Sequence, residues 1–301
     1  MKIMPVILDS KDLKAIDKEF AAGSQVWDLL KGGAAAVTEA DFVGAKEVRI
    51  NKMKGFTASD YKRNEDNKRS KIDVAKETFK LEKERWFGYD LDTLDQSENA
   101  SYEVQALVEE HTRLIAIPEK DRTAVQRLLE AAFAEAADDD SEGKYVGKTV
   151  KETITTENSL ASYDAAEAYM TDAEIVGPFI MFASTDYYSA LKNAKGVSKT
   201  FTTNEQQISG INRKVAQLDG SDTIIQKVAK SRLQVDSTKK INYILVPLMV
   251  CSPVEKYNSI DLIPASQDRD GYRDTIKGLN YYDAIVTEKA RPAIYVSYDS
   301  K

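Results

Sequence analysis

Residues 46–89 alternate apolar and charged side chains over a length that one subunit's core cannot cover. The segment K-E-V-R-I-N-K-M sets Val48 and Ile50 between charges and reads as an outgoing strand. The tip runs from Lys54 to Lys71. The return strand is expected from Ile72 to Tyr89, through Phe79, Leu81, Trp86 and Phe87. Together they predict one long β-hairpin. At ~3.3 Å per residue, arms of roughly 18 residues reach about 60 Å. A globule of this length has a radius of gyration of only ~19 Å, so such an arm overhangs its own body. A two-stranded hairpin alone is marginal in water. The segment is therefore either partly disordered or lies on another subunit, and the second alternative makes the protein self-assembling.

Charge sharpens that reading. The chain of 301 residues carries 42 basic and 49 acidic side chains, a formal net charge of −7. The hairpin tip has the opposite sign: Lys54, Lys62, Arg63, Lys68, Arg69 and Lys71 stand against Asp60, Glu65 and Asp66. A solvated loop is one reading. The other is an electrostatic clasp on an acidic surface of a neighbour, with 138–142 as a candidate partner, since complementary charge steers association and fixes register. Overall acidity argues against a grip on nucleic acid, whose phosphates are bound by exchanging counterions for Lys and Arg. A single cysteine, Cys251, closes no internal disulfide and fits a reducing compartment. The N-terminal sequence has no apolar run of signal-peptide length. The strongest apolar run, 241–251, is about half a membrane span. A soluble protein acting in a cytoplasm, with no membrane partner, is expected.

Residues 10–31 predict helix, with Leu13, Ile16 and Phe20 on one stripe and Val26, Trp27, Leu29 and Leu30 after Gly23. It either packs on its own core or serves as a partner-binding arm. Beyond an acidic turn at 89–95, Val104, Leu107, Val108, His111, Leu114 and Ile115 share a helical face. The pattern resumes through Val125, Leu128, Leu129, Ala132 and Phe133. Pro118 between them starts a second helix or kinks one long one. Past an acidic break at 138–147, helices are expected at 157–171 and 185–194. Strands are expected at 178–183, 214–218 and 241–251, then near 281–286 and 292–298. Residues 201–210 and 233–240 read as polar loops, and 268–272 as a turn.

No stretch assembles a catalytic constellation. His111, the one histidine, lies in an apolar helical stripe and reads as structural, whereas triads and most zinc sites need a histidine in a polar setting. Cys251 ends an apolar strand, with no local base to activate it. Residues 143–149, G-K-Y-V-G-K-T, are one residue short of a phosphate-binding loop and follow three aspartates that repel phosphate. Asp138, Asp140, Glu142 and Gly143 imitate the start of a calcium loop, yet its twelfth position is Thr149 rather than a bidentate Glu. No cofactor, metal or catalytic residue is assigned, and no enzyme is expected.

The order of parts carries a resemblance. The charged hairpin closes on K-E-R-W-F-G-Y-D-L-D-T-L-D-Q-S-E-N, a long helix follows with A-I-P-E-K-D-R at 116–122, and D-R-D-G-Y at 268–272 leads to the last strands. From about residue 45 onward the chain resembles the major capsid protein of tailed bacteriophages, in particular those of phages infecting Gram-positive bacteria. The resemblance implies an α+β fold of the Hong Kong 97 type. Its parts would be an N-terminal arm (1–44), an extended loop (46–89) lying across an adjacent subunit, a peripheral domain (90–155 and 268–301) with a long spine helix, and an axial domain (156–267). It implies a structural virion protein, assembled in the host bacterial cytoplasm into the hexamers and pentamers of an icosahedral head. The head would enclose DNA without sequence-specific binding, and portal, scaffold and head-completion proteins would be further partners. The contacts between subunits are expected from Lys54, Lys62, Arg63, Lys68, Arg69, Lys71, Phe79, Leu81, Trp86 and Phe87. About 45 residues precede the loop, so a separate scaffold or none is expected. The alternatives are an encapsulin-like nanocompartment shell, which shares the fold but holds protein cargo, and an α/β enzyme without a recognisable site.

Overall fold

A computed structural model describes residues 23–31, 47–54, 56–64, 66–67, 69–92, 104–136, 140, 143–194, 202–208, 211–217, 223–267 and 271–300, with backbone alone for 104–106, 202–208 and 211–217. The chain divides into two units, one of residues 1–35 with 83–301 and the other of residues 36–82.

In the larger unit, a seven-stranded sheet runs in the order β4 (Lys148–Lys151), β12 (Tyr295–Ser300), β9 (Lys239–Pro247), β5 (Phe179–Ser184), β8 (Thr223–Val228), β7 (Ile211–Gln217), β6 (Thr202–Ile208). β12 pairs with β4 and β5 with β8 in parallel; the other pairs are antiparallel. Helices cover both faces of its centre, and this is why β9 reads as a continuous apolar run rather than an alternation. Ile180, Phe182, Ile244, Val246 and Val296 point to one face, against Val125, Leu128, Leu129 and Ala132 of a long helix. Met181, Ala183, Tyr243, Leu245 and Tyr295 point to the other, against Tyr163, Ala166 and Met170 of a second helix and Tyr187 and Leu191 of a third. Each buried aliphatic side chain of this size stabilises the fold by about 1.5–3 kcal/mol.

The long helix is one rod in three parts: α2 (Val104–His111), a π-helical turn (Thr112–Ala116) and α3 (Ile117–Phe133). Its backbone stays helical across both junctions, and the Ile117 N–H donates to the Thr112 carbonyl, five residues back. Pro118 lacks an N–H, and its ring clashes with the carbonyl four residues before it in a regular helix. Widening the turn ahead of the proline accommodates both. Of the two outcomes open at Pro118, the chain keeps one helix. The helices on the opposite face are α4 (Ser159–Asp172) and α5 (Thr185–Lys192), the latter capped by the Ser184 hydroxyl accepting from the Tyr187 N–H. Below the end of α3 a loop passes so closely that a Cβ at Gly147 would sit 2.7 Å from the Ala132 Cα, so only glycine fits.

A second, three-stranded antiparallel sheet has the order β10 (Cys251–Ile263), β11 (Arg273–Val286), β3 (Lys83–Asp92). The expected return strand from Ile72 to Tyr89 is therefore two strands. β2 (Asp73–Lys80) pairs with β1 (Glu47–Lys54) in the smaller unit, and β3 joins β11 in the larger. The paired ribbon is eight residues long, about 26 Å, not the reach expected above.

Other expectations change as well. Residues 23–31, inside the expected N-terminal arm, enter the core. Val26, Trp27, Leu29 and Leu30 are buried there, around the one-turn helix α1 (Trp27–Lys31). The expected helix at residues 10–22 lies outside the described residues. Residues 202–208, expected as loop, form β6. The boundaries at 155 and 267 do not follow the sheets: β4 and β12, expected in the peripheral segments, belong to the seven-stranded sheet, and β10, expected in the axial segment, belongs to the three-stranded one.

Candidate subunit-interaction surface

The smaller unit presents the basic tip. Between residues 47 and 82 the sequence carries ten basic side chains and seven acidic ones, against the acidic balance of the whole chain. Lys54 ends β1 opposite Asp73. Lys62, Arg63, Arg69 and Lys71 follow in the connection and are exposed. Lys68 lies outside the described residues. The tip has local order of its own. The Lys62 N–H donates to Asn67 Oδ1 at 2.9 Å, and Asn67 Nδ2 donates back to the Lys62 carbonyl at 3.3 Å. Asn64 turns the chain at φ 61°, a left-handed conformation that asparagine tolerates better than most residues. Phe56 and Tyr61 stand exposed beside these charges.

The apolar residues expected with them do not form one group. Phe79 lies on β2 opposite Val48, and Leu81 is buried in the connection between β2 and β3. Trp86 and Phe87 belong to the three-stranded sheet, on opposite faces. The Trp86 indole covers Gly88 two residues on, and 70 % of the residue is open to solvent. Phe87 covers Gly278 on the neighbouring strand. On that same face the Phe87 ring stacks on His111 at 4.0 Å between centroids, and His111 Nδ1 is 2.7 Å from the Tyr89 hydroxyl. Burial lowers the His111 pKa, partly offset by the negative charge of Glu119. The structural role expected of this histidine is to clamp α2 onto β3.

Sequence reading missed the exposed side chains of β10: Tyr257 on the Trp86 face, Ile260 and Leu262 on the Phe87 face. The signal was the alternation in Y-N-S-I-D-L-I, obscured upstream by Pro253 and by a register slip between Glu255 and Tyr257.

The groups weighed for chemistry have structural employment. Cys251 is fully buried, and burial pushes its thiol up to about 12, with Asp283 adding to the shift. The Asp140 carboxylate accepts from the N–H groups of Lys144 and Tyr145, folding the glycine-bearing loop onto itself. Asp121, fully buried, accepts from the Ser24 hydroxyl and from the N–H groups of Gln25, Val26 and Trp27, and pairs with Arg232 at 2.7 Å. Arg232 Nη1 also donates to the Gly23 carbonyl at 2.6 Å. This hub joins α1, α3 and the short helix α6 (Lys230–Leu233). Among the described residues, no cluster of three or more His, Cys, Asp or Glu side chains could hold a metal ion, and no helix is long and apolar enough to cross a membrane.

No family model matches the chain, and no curated protein does. Solved structures match over nearly its whole length. A structure titled "Mycobacterium phage Che8" covers 98 % of this chain and 97 % of its own, with a TM-score of 0.64 at 13 % identity. One titled "Asymmetric unit of bacteriophage PhiM1 mature capsid" covers 99 % and 92 %, with a TM-score of 0.66 at 14 % identity. One titled "Capsid of Ralstonia phage GP4" covers 99 % and 98 %, with a TM-score of 0.63 at 7 % identity. The likeness is one of fold: the chain has the α+β fold of the Hong Kong 97 type.

Proposed function

We propose that the chain is the subunit of an icosahedral phage head, a structural protein that closes into a shell around the genome. The observation that carries this is the near-complete coverage, in both directions, by structures whose titles name phage capsids. The physical features favour the same reading. A two-stranded ribbon with a basic tip, whose described residues belong to neither of the two apolar core clusters, brings contact surface. An acidic chain encloses DNA without gripping it. Residues weighed for chemistry are instead engaged in packing and capping.

In this reading the ribbon is the extended loop. The axial part is the seven-stranded sheet with α4 and α5, and the peripheral part is the long helix with the three-stranded sheet. Lys54, Lys62, Arg63, Lys68, Arg69 and Lys71 meet acidic surface on a neighbour within hexamers and pentamers, with Phe79, Leu81, Trp86 and Phe87 adding apolar contact. The subunit has no catalytic role, assembles in the host cytoplasm and resides in the virion, where portal and head-completion proteins join it.

Electron microscopy of the purified protein tests this. Closed particles of uniform size are expected, with a nucleic-acid absorbance ratio in native particles that separates a genome shell from a compartment filled with protein. A solitary subunit at every concentration would refute it.

A further inference from the structure

The two ends of β9 carry unlike surfaces. At its last residue Pro247 pairs with Phe179, and the Leu248 N–H donates to the Pro178 carbonyl at 3.2 Å, which brings the loop after α4 against the loop after β9. Val176 in the first is 84 % exposed and Met249 in the second 74 %. Residues 172–178 and 247–250 carry two charges, Asp172 and Glu174, both acidic. At the other end of β9 lies a groove of about 370 Å³ between the last turns of α3 and residues 235–239. Leu129, Phe133 and Val235 give it an apolar lining, and the Lys239 ammonium lies 4.2 Å from the Phe133 ring centroid. Lys230 and Lys240, at this same end of the sheet, share the carboxylate of Asp186.

Nine residues of strand separate the two ends by about 27 Å, at ~3.4 Å per residue, so the exposed pair cannot reach the groove of its own subunit. They meet when copies stand head to tail, the arrangement that closes into a ring where the rotation permits. The size of the groove decides the occupant. A stable interface between two free proteins buries about 1,200–2,000 Å², and two protruding side chains supply a small part of that. A copy already held nearby by other contacts meets the groove at high effective concentration instead. The chemistry matches: a flexible thioether packs well against an aromatic ring, and the acidic loop complements the end where two lysines share one carboxylate.

We propose that Val176 and Met249 of one copy seat in the groove lined by Leu129, Phe133 and Val235 of the next copy, a head-to-tail contact between opposite ends of β9. Met249 enters against Phe133, and Asp172 and Glu174 face Lys230 and Lys240. The proposal rests on the shell reading and supplies a contact between the seven-stranded sheets of successive copies within one ring.

Disulfide trapping in particles tests it. Gln126→Cys places a thiol on the exposed rim of the groove, and Met249→Cys places one on the protruding loop. Cys251 is fully buried and adds no competing thiol. A disulfide forms between Cα atoms about 4.4–6.8 Å apart, so the two positions cannot join within one subunit. Oxidised particles of the double variant, denatured without reductant, give a ladder of covalent oligomers from dimer to hexamer, and each single variant stays monomeric. Particles of the double variant that remain uncrosslinked overturn the contact and leave the shell reading standing. Dimers from Met249→Cys alone mean that like ends meet, and overturn the head-to-tail arrangement. If the unaltered chain forms no particle, both readings fall. As a check independent of the thiols, Val176→Asp with Met249→Asp alters side chains already in solvent; particle yield drops at least tenfold with an unchanged circular dichroism spectrum, and normal yield overturns the proposal.

Discussion

Replacing Asp121 with Ala tests how firmly residues 23–31 belong to the core. The buried carboxylate takes three backbone N–H donors, a hydroxyl and the Arg232 guanidinium, all within 3.2 Å. Its removal takes the countercharge from a guanidinium that is 6 % exposed, leaving it the Gly23 carbonyl, and uncaps α1. Breaking one side of a buried ion pair costs about 3–5 kcal/mol, and losing an acidic or hydroxyl cap about 0.5–2 kcal/mol. These overlap rather than add, so a loss of about 4–5 kcal/mol is expected, a large part of the ~5–15 kcal/mol that holds a domain folded. Urea unfolding of the unassembled subunit, followed by Trp27 fluorescence in a Trp86→Phe background, reads this out, since Trp27 is buried against Tyr282. Arg232→Met in the Asp121→Ala background removes the uncompensated charge and recovers part of the loss, with a coupling of about 2 kcal/mol or more, within the range for residues sharing a network. A loss below about 1 kcal/mol, or two effects that simply add, would refute the hub.

Reversing Lys62, Arg63, Lys68 and Arg69 to Glu impairs particle formation and leaves the subunit folded; normal particle yield by light scattering contradicts the clasp. Leu128→Ala empties the interface between α3 and the seven-stranded sheet and lowers stability by about 2–5 kcal/mol, measured by the urea midpoint. Gly147→Ala drives a methyl into the Ala132 backbone and costs about 1–3 kcal/mol; an unchanged melting temperature counts against the close approach. For His111, folding lowers the pKa, so the unfolded chain binds the proton more readily. The histidine's contribution is present above pH ~6.5 and lost as pH falls through that value toward the lower folded pKa. His111→Gln flattens this component of the melting temperature between pH 8 and pH 5.5.

Side-chain periodicity made much of the larger unit legible. The helical stripes around Val125–Phe133 and 157–171, and the apolar runs at 178–183 and 241–251, stand in the structure within a few residues of their expected bounds. Strands with one wet face were less legible. β6, T-T-N-E-Q-Q-I, is nearly all polar, and the slip in β10 resets its alternation midway. The break between β2 and β3 was hidden because Leu81-Glu82 continues the alternating pattern, although the partner strand changes there. Of the interaction surface, the basic tip was read from charge alone. The apolar edge of β10 was not, because only the sheet order reveals that β10 is an outer strand among the described residues. The Asp121 hub was equally invisible, since its members are 97 and 111 residues apart from it along the chain.

The widened turn at Thr112–Ala116 has a geometric consequence. A regular helix advances 100° per residue, from its 3.6 residues per turn, so one additional residue in a turn rotates everything before it by about that angle relative to everything after. Ahead of the turn, His111 addresses Phe87 and Tyr89; behind it, Val125, Leu128 and Leu129 address the seven-stranded sheet. A single unbroken rod thus serves two sheets through two differently oriented flanks, and trimming one residue from the turn would swing the histidine off its aromatic seat without touching either sheet.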